Sequence, residues 1–280
     1  EPGTRIVLKA NPNFFAEAPY FDRIELLVIP QSSNRLAMLA SGDVDIAFAL
    51  SAAQLDQADK ARSVKVLSIP DRQKLSVGLN VRPDATFDNL ALRQALAYAV
   101  PYDDIVFGVL KDRAAKSAGP MSVNSRFFAL YNLADMPSYY TDLDKARELL
   151  AEAGHGDGFA FELITAKGVP HVEQAAASLK ASFAEIGVDM TISPVSQATM
   201  AEKNGQGTYD AFMRDWLTDY VDDPYYHFFL WWGTKVVINW TGYSNSQVDD
   251  WYQGTAAIVD DSVRRGPYRN AIRQLIKDSP

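Results

Sequence analysis

The residues most able to do chemistry crowd into one stretch, Thr208 to Trp232, which reads TYDAFMRDWLTDYVDDPYYHFFLWW. Trp216, Tyr220, Tyr225, Tyr226, Phe228, Phe229, Trp231 and Trp232 alternate there with Asp215, Asp219, Asp222 and Asp223. Aromatic faces supply contact area and stacking, and a carboxylate pairs with a cation, so the combination suits recognition of an amine-bearing ligand. A pair of carboxylates, Asp219 with Asp222 or Asp223, could also act as acid and base in a hydrolase, although no GxSxG nucleophile motif accompanies them. Exposed rings would instead make a protein-docking patch. The plain structural alternative is a core strand followed by a helix starting at Pro224, with the rings buried.

Other chemistries find little support. The chain has no cysteine, which excludes disulfides, thiolate catalysis and cysteine-ligated zinc. Its three histidines, His155, His171 and His227, are far apart in sequence, so neither a histidine metal site nor a Ser-His-Asp triad is expected. Asp219, Asp222 and Asp223 lack EF-hand spacing. No catalytic residue, cofactor or metal is therefore assigned.

The elements that must position this stretch are legible from periodicity. Tyr209, Ala211 and Met213 alternate as a strand leading into it, and Asp222-Asp223-Pro224 is a turn. Upstream, Phe159 to Leu163, an amphipathic helix from Val172 to Ile186 and Val188 to Ile192 form a βαβ unit. Asp142 caps a helix that Gly154 ends, and Leu90 to Val100 is a helix stopped by Pro101. Leu75 to Val81 is a strand, and Tyr102 to Val109 a short helix. Ala114 to Tyr140 is a long irregular segment, either functional or wrapping a surface. Gln197 to Asn204 is a short helix.

The first part of the chain alternates strands at Arg5–Ala10, Ile24–Ile29, Val44–Phe48 and Val64–Ile69 with helices at Ser33–Ala40, capped by Ser33, and Ser51–Asp59. That rhythm predicts an α/β sheet, and the near-continuous apolar run of Ile24–Ile29 suits burial on both faces. Toward the end, Val236–Trp240 reads as extended, Ser246 to Asp249 as a capping box for a helix reaching Val259, and Arg264–Ile276 as the last helix.

The 280 residues suit one large domain or two medium ones. Net charge is −8. Residues 1–75 hold nine basic and nine acidic side chains, so the whole acidic excess lies beyond them. An acidic second part argues against nucleic acid or an anionic membrane as partner. No apolar run is long enough for a transmembrane helix.

Several ordered motifs resemble one family, the extracytoplasmic solute-binding proteins of ABC importers for oligopeptides, dipeptides or nickel. Asn11-Pro12-Asn13-Phe14-Phe15 with Pro19 to Ile24 is similar to its NPxYW…PxxDxI segment, and Leu39 to Asp45 to its LxSGexD. Gly78-Leu79-Asn80 with Phe87 to Ala99, Lys145 to Gly154, Leu179 to Val188, and Gly242 to Asp249 resemble further signatures in the same order across nearly the whole chain. The resemblance implies an α/β, type II periplasmic-binding-protein-like fold that closes on ligand as a clamp, and no enzymatic activity. It implies that residues 1–75 are part of the first lobe and 76–280 a nearly complete second lobe, with a hinge strand near 75–80. A returning hinge strand would follow Pro280, the chain being a truncated form of a longer family member. It further implies a monomer in the periplasm or another extracytoplasmic place, with or without a lipoprotein anchor. The expected partners are a small peptide or related solute and the transmembrane subunits of an ABC permease. Opines, nickel chelates, sugars and antibiotics remain alternatives, since fold does not fix function.

In the opening stretch, the family's gWxaDYxdP segment is matched by Trp216, Leu217, Thr218, Asp219, Tyr220, Asp222 or Asp223, and Pro224. The resemblance implies that Asp219 pairs with a peptide α-ammonium and that Trp216, Leu217 and Tyr220 line the cleft. Asp215 stands where the family has a small residue, with Arg214 beside it; Arg214 either binds a ligand carboxylate or neutralises Asp219. Asn239 and Trp240 fall where relatives add cleft residues; the alternative for Trp240 is packing beneath a turn.

Overall fold

The computed structural model describes residues 3–61, 63–117, 119–217 and 221–280, with the backbone alone at 216 and 217. The chain forms two compact units, Glu1–Val66 and Leu67–Pro280.

In the first unit, β1 (Arg5–Lys9) and β2 (Arg23–Leu27) pair antiparallel, Arg5 opposite Leu27. The expected burial of β2 on both faces is not observed: every residue of both strands is exposed. A two-stranded ribbon has no second layer to cover it. Helix α1 (Ser32–Ser41) is preceded by Gln31, so Ser33 lies inside the first turn and is not the cap. Gly42 ends it with φ 83°, a left-handed conformation that costs glycine nothing. Ser51 starts α2 (Ala52–Asp59) with a capping box to Gln54.

Strands expected at Val44–Phe48 and Val64–Ile69 do not form. Where the runs begin, backbone amides bond locally instead: Val44 donates to the Met38 carbonyl at 3.4 Å and Val64 to the Ala61 carbonyl at 3.3 Å. Beside the first run, Arg35 draws the carbonyls of Ile29 and Ala49 to its guanidinium, each at 2.6 Å. Among its described residues the first unit is therefore an antiparallel ribbon plus two helices, without the alternating sheet its apolar runs suggest.

The second unit is built on a mixed sheet in the order β3-β6-β4-β5. Strand β3 (Gln73–Leu79) leads to α3 (Leu90–Ala99), which Asn89 caps through the amides of Ala91 and Leu92. A wide helical turn (Asp104–Val109) follows, then α4 (Arg126–Leu130) and α5 (Leu143–Glu152), the latter capped by Asp142. Strand β4 (Phe159–Ala166), α6 (Pro170–Ala184) and β5 (Val188–Val195) make the expected βαβ unit, with β4 and β5 parallel. Helix α7 (Gln197–Gln206) feeds β6 (Ala211–Leu217), which runs antiparallel to β3 and parallel to β4.

Alternation along the strands divides the interior. Leu163, Ala211 and Met213 face a core shared with α3, α5 and α6, whereas Ile164 and Phe212 face a smaller one with Met200, Tyr209 and Trp231. A third core joins α8 (Pro224–His227), α9 (Ser246–Gln253) and α10 (Asp261–Asp278). The irregular segment Ala114–Tyr140 supplies much of that core through Met121, Phe127, Tyr131, Leu133 and Met136. Each such ring or aliphatic side chain gains about 1.5–3 kcal/mol from full burial, which anchors the segment; expected to be irregular, it holds α4 and a short 3-10 turn at Leu133–Asp135.

Two expectations near the end fail. Val236–Trp240 is a series of turns, not a strand. Asn245, not Ser246, caps α9 through the amides of Gln247 and Val248. Asp249 accepts from the Thr234 amide at 2.9 Å, so it is not the far half of a capping box.

Candidate functional site

Strand β6 delivers the aromatic and acidic segment. Its alternation puts Arg214 on the face of Phe212, where the guanidinium lies 5.2 Å from the centre of the Trp240 ring. The structure thus joins two candidates that are far apart in sequence, and it gives Arg214 an aromatic partner that neither sequence-based role anticipated. Asp215 turns the other way. Its Oδ2 lies 2.9 Å from His171 Nε2 in the first turn of α6 and accepts from Gln73 Nε2 at 3.2 Å. Burial pushes the Asp215 carboxyl up, but the His171 bond and charge, backbone donation and Arg214 outweigh it, so the net direction is down.

Trp216 and Leu217 are the last residues of β6, opposite Lys74 and Gln73 of β3. Asp219 and Tyr220, together with Thr218, lie outside the described residues.

Beyond them the chain is held again. Asp222 accepts from Ser125 Oγ at 2.6 Å and from the Arg126 amide at 3.2 Å, and lies 3.3 Å from the Arg72 guanidinium. Asp223 caps α8 through the Tyr225 amide at 2.8 Å and pairs with Arg264 of α10. Arg264 is 7% exposed and also lies 3.4 Å from Asp261. Burial works to lower its pKa, but the bonds to Asp223 and Tyr268 and the charge of Asp223 drive it upward overall. The hydrolase reading needed Asp222 or Asp223 as the partner of Asp219. Both carboxylates are instead committed to a helix cap, a loop anchor and arginine pairs, and neither is presented as a base.

Asn239 is likewise committed. Its Nδ2 donates to the carbonyls of Gly233 at 2.9 Å and Tyr243 at 2.6 Å. Its Oδ1 accepts from the amides of Gly242 at 3.0 Å and Tyr243 at 3.1 Å. An amide has two donors and two acceptor lone pairs, so the side chain knits its own turn and leaves nothing for a ligand. These hydrogen bonds all run within the 233–243 turn region.

Trp240 packs edge-on against Phe212 and Trp231, with ring centres 6.0 and 6.1 Å away. It also borders a cavity of about 220 Å³ whose walls include Lys74, Gly78, Phe212, Trp231, Trp240 and Tyr139. Gly78 and Phe212 are in contact in its wall: a Cβ at Gly78 would meet the Phe212 ring at 2.3 Å. Of the rings after Pro224, Phe228 and Trp231 are buried, as expected of a packed helix, whereas Phe229 is half exposed at 50%.

His227 is fully buried, and burial with the nearby Lys74 charge holds its pKa well below the usual 6.5. His155 sits beside the Phe159 ring. Among the described residues no group of three histidine or acidic side chains could hold a metal. Sequence reasoning missed Arg72, Gln73, Ser125, His171 and Lys74; each reaches the site across a long sequence interval and carries no local signal.

The family model for bacterial extracellular solute-binding proteins, family 5 (middle region), matches residues 1–236, and the chain belongs to that family. It is a family of binding proteins, not enzymes. The chain is 26% identical over 282 residues to the probable D,D-dipeptide-binding periplasmic protein DdpA of Escherichia coli, covering 100% of this chain and 53% of that protein. The structure of the periplasmic binding protein DppA of Helicobacter pylori with the peptide STSA superimposes with a TM-score of 0.92 at 23% identity, over 99% of this chain and 54% of that one. Staphylococcus aureus NikA with Ni(L-His)2 gives a TM-score of 0.87 at 19% identity, over 98% and 58%. These likenesses show the fold. The chain spans about half the length of the curated relatives it matches.

Proposed function

We propose that the chain is part of the substrate-binding component of an ABC importer. That component captures a small peptide or a related solute outside the cytoplasm, between two lobes, and delivers it to the permease. Family membership carries the proposal. Residues 1–75 are assigned to the first lobe and 76–280 to the second, with β3 in the crossing.

Asp219 is the carboxylate assigned to the ligand ammonium. Three observations of the flanking acids support it: Asp215, Asp222 and Asp223 each have a structural partner. Trp216, at the end of β6, is assigned to the peptide backbone, with Leu217 and Tyr220 beside it. Arg214 and Trp240, stacked on one another, form the adjoining wall. A charge-assisted ammonium–carboxylate bond in a closed, partly desolvated cleft is short and strong. Closure stabilises the bound form by mass action.

Isothermal calorimetry of the full-length protein tests the proposal, using di-, tri- and tetrapeptides with free or N-acetylated amino termini. The free forms are expected to bind and the acetylated forms to lose about 100-fold, since the pair with Asp219 disappears. Equal affinity for both sets, or binding only of nickel–histidine or opine controls, contradicts the peptide assignment.

A further inference from the structure

The cavity beside Trp240 has a size, a surface and a charge that together select one kind of occupant. Its volume is about 220 Å³. An apolar cavity of about 150 Å³ takes a benzene ring, whereas pockets for whole small ligands span roughly 300–1,000 Å³. The space therefore suits one ring-sized group and not an entire peptide. Its floor is a face of β3, where Lys74, Ser76 and Gly78 recur at every second residue. Ser76 and Gly78 bring almost no bulk, and Gly78 stands opposite Phe212 of β6. Phe212, Trp231 and Trp240 supply rings to the wall, with Trp240 edge-on to the other two.

Two lysines, Lys74 and Lys116, border the cavity, and among the described residues no aspartate or glutamate does. Lys116 is held there: its Nζ donates to the Tyr139 carbonyl and lies 4.4 Å from the centre of the Tyr102 ring. A cationic group entering this space would lose water, meet two ammonium groups and find no carboxylate. An uncharged aromatic ring would lose little hydration and gain contact with the rings around it.

We propose that this cavity is the specificity pocket for one side chain of the ligand, selecting an uncharged aromatic side chain and rejecting lysine or arginine. The inference rests on the reading of the chain as part of a peptide-binding component. It narrows that reading to peptides carrying phenylalanine, tyrosine or tryptophan at one position. Two wall residues connect the pocket to β6: Trp240 lies under the Arg214 guanidinium, 5.2 Å from the ring centre, and Lys74 stands opposite Trp216 in the sheet.

The test is isothermal calorimetry of the full-length protein with alanine tripeptides in which phenylalanine, or lysine, replaces each alanine in turn. At one position phenylalanine is expected to bind about 10- to 100-fold more tightly than alanine, and lysine no better than alanine. Ser76→Phe puts a ring into the cavity from its floor and is expected to bring the phenylalanine-to-alanine ratio down to about one. A ratio near one at every position in the native protein overturns the proposal. So does lysine matching phenylalanine, or a ratio that survives Ser76→Phe. If Ser76→Phe does not fold, Ile238→Trp, which fills the cavity from another wall, is read in the same way. If no tripeptide binds, the peptide reading fails, and tryptophan fluorescence decides for the pocket by itself. Benzyl alcohol is then expected to give a saturable change that Ser76→Phe removes and that benzylamine, a cation of the same shape, does not give. No saturable change, or equal changes with both probes, overturns the pocket as well.

Discussion

His171 Nε2 lies 2.9 Å from Asp215 Oδ2, joining the first turn of α6 to the strand that carries the proposed ligand segment. Both side chains are about one-fifth exposed, so the pair is neither a surface contact nor a deeply buried one. His171→Ala is expected to cost about 1 kcal/mol in urea unfolding, and the cycle with Asp215→Asn to show non-additivity of roughly 0.5–1 kcal/mol. The Asp215 carboxyl is held below its usual 3.8. Its contribution is therefore fully present above that value and lost as pH falls through the depressed one, a loss that Asp215→Asn should abolish.

His227 predicts a second pH effect of the same sign at higher pH. It is neutral and fully buried, while the unfolded chain protonates it near 6.5. The unfolded state binds more protons below that value, so stability falls as pH drops through it, by at most about 1.4 kcal/mol per pH unit. His227→Leu should flatten thermal or urea stability between roughly pH 6.5 and 5, the window set by the ordinary histidine pKa. An unchanged slope would show that another group supplies it.

Gly78 lets Phe212 lie flat across β3, and a Cβ there would meet three ring atoms at 2.3 to 3.0 Å. The ring is buried, so making room for a Cβ means repacking it against its neighbours. Gly78→Ala is expected to destabilise by about 1–3 kcal/mol, read as a lower urea midpoint.

Asn239→Ala should act on stability through the turn it closes. Removing the amide takes one hydrogen bond each from the carbonyl of Gly233, the carbonyl of Tyr243 and the amides of Gly242 and Tyr243. A loss of roughly 2–3 kcal/mol is expected, from several hydrogen bonds of about 1 kcal/mol each. Calorimetric affinity for a bound peptide should change far less than this.

How much of this was legible in the sequence depended on whether the cause was local. The Asp142 cap and the βαβ unit follow from side chains acting within a few residues, and they appear where the pattern placed them. The runs Val44–Phe48 and Val64–Ile69 look like strands, yet a strand needs a partner edge, and the amides of Val44 and Val64 bond to the nearby carbonyls of Met38 and Ala61 instead. At Asn245 and Ser246 two residues competed for one cap, and the neighbouring Asp249 was drawn away by Thr234. In the candidate site the sequence marked the acids but could not separate their roles. The separation comes from Arg72, His171, Ser125 and Arg264, whose approach is a product of the tertiary fold. The pairing of Arg214 with Trp240 has the same origin.

Asp219 is the residue assigned to the ligand's amine, and calorimetry of Asp219→Ala in the full-length protein reads that pairing. For a peptide that the native protein binds, the variant is expected to lose about 2–4 kcal/mol of affinity, roughly 30- to 1000-fold, with N-acetylated controls unaffected. Unchanged affinity for every amine-bearing ligand would contradict the account.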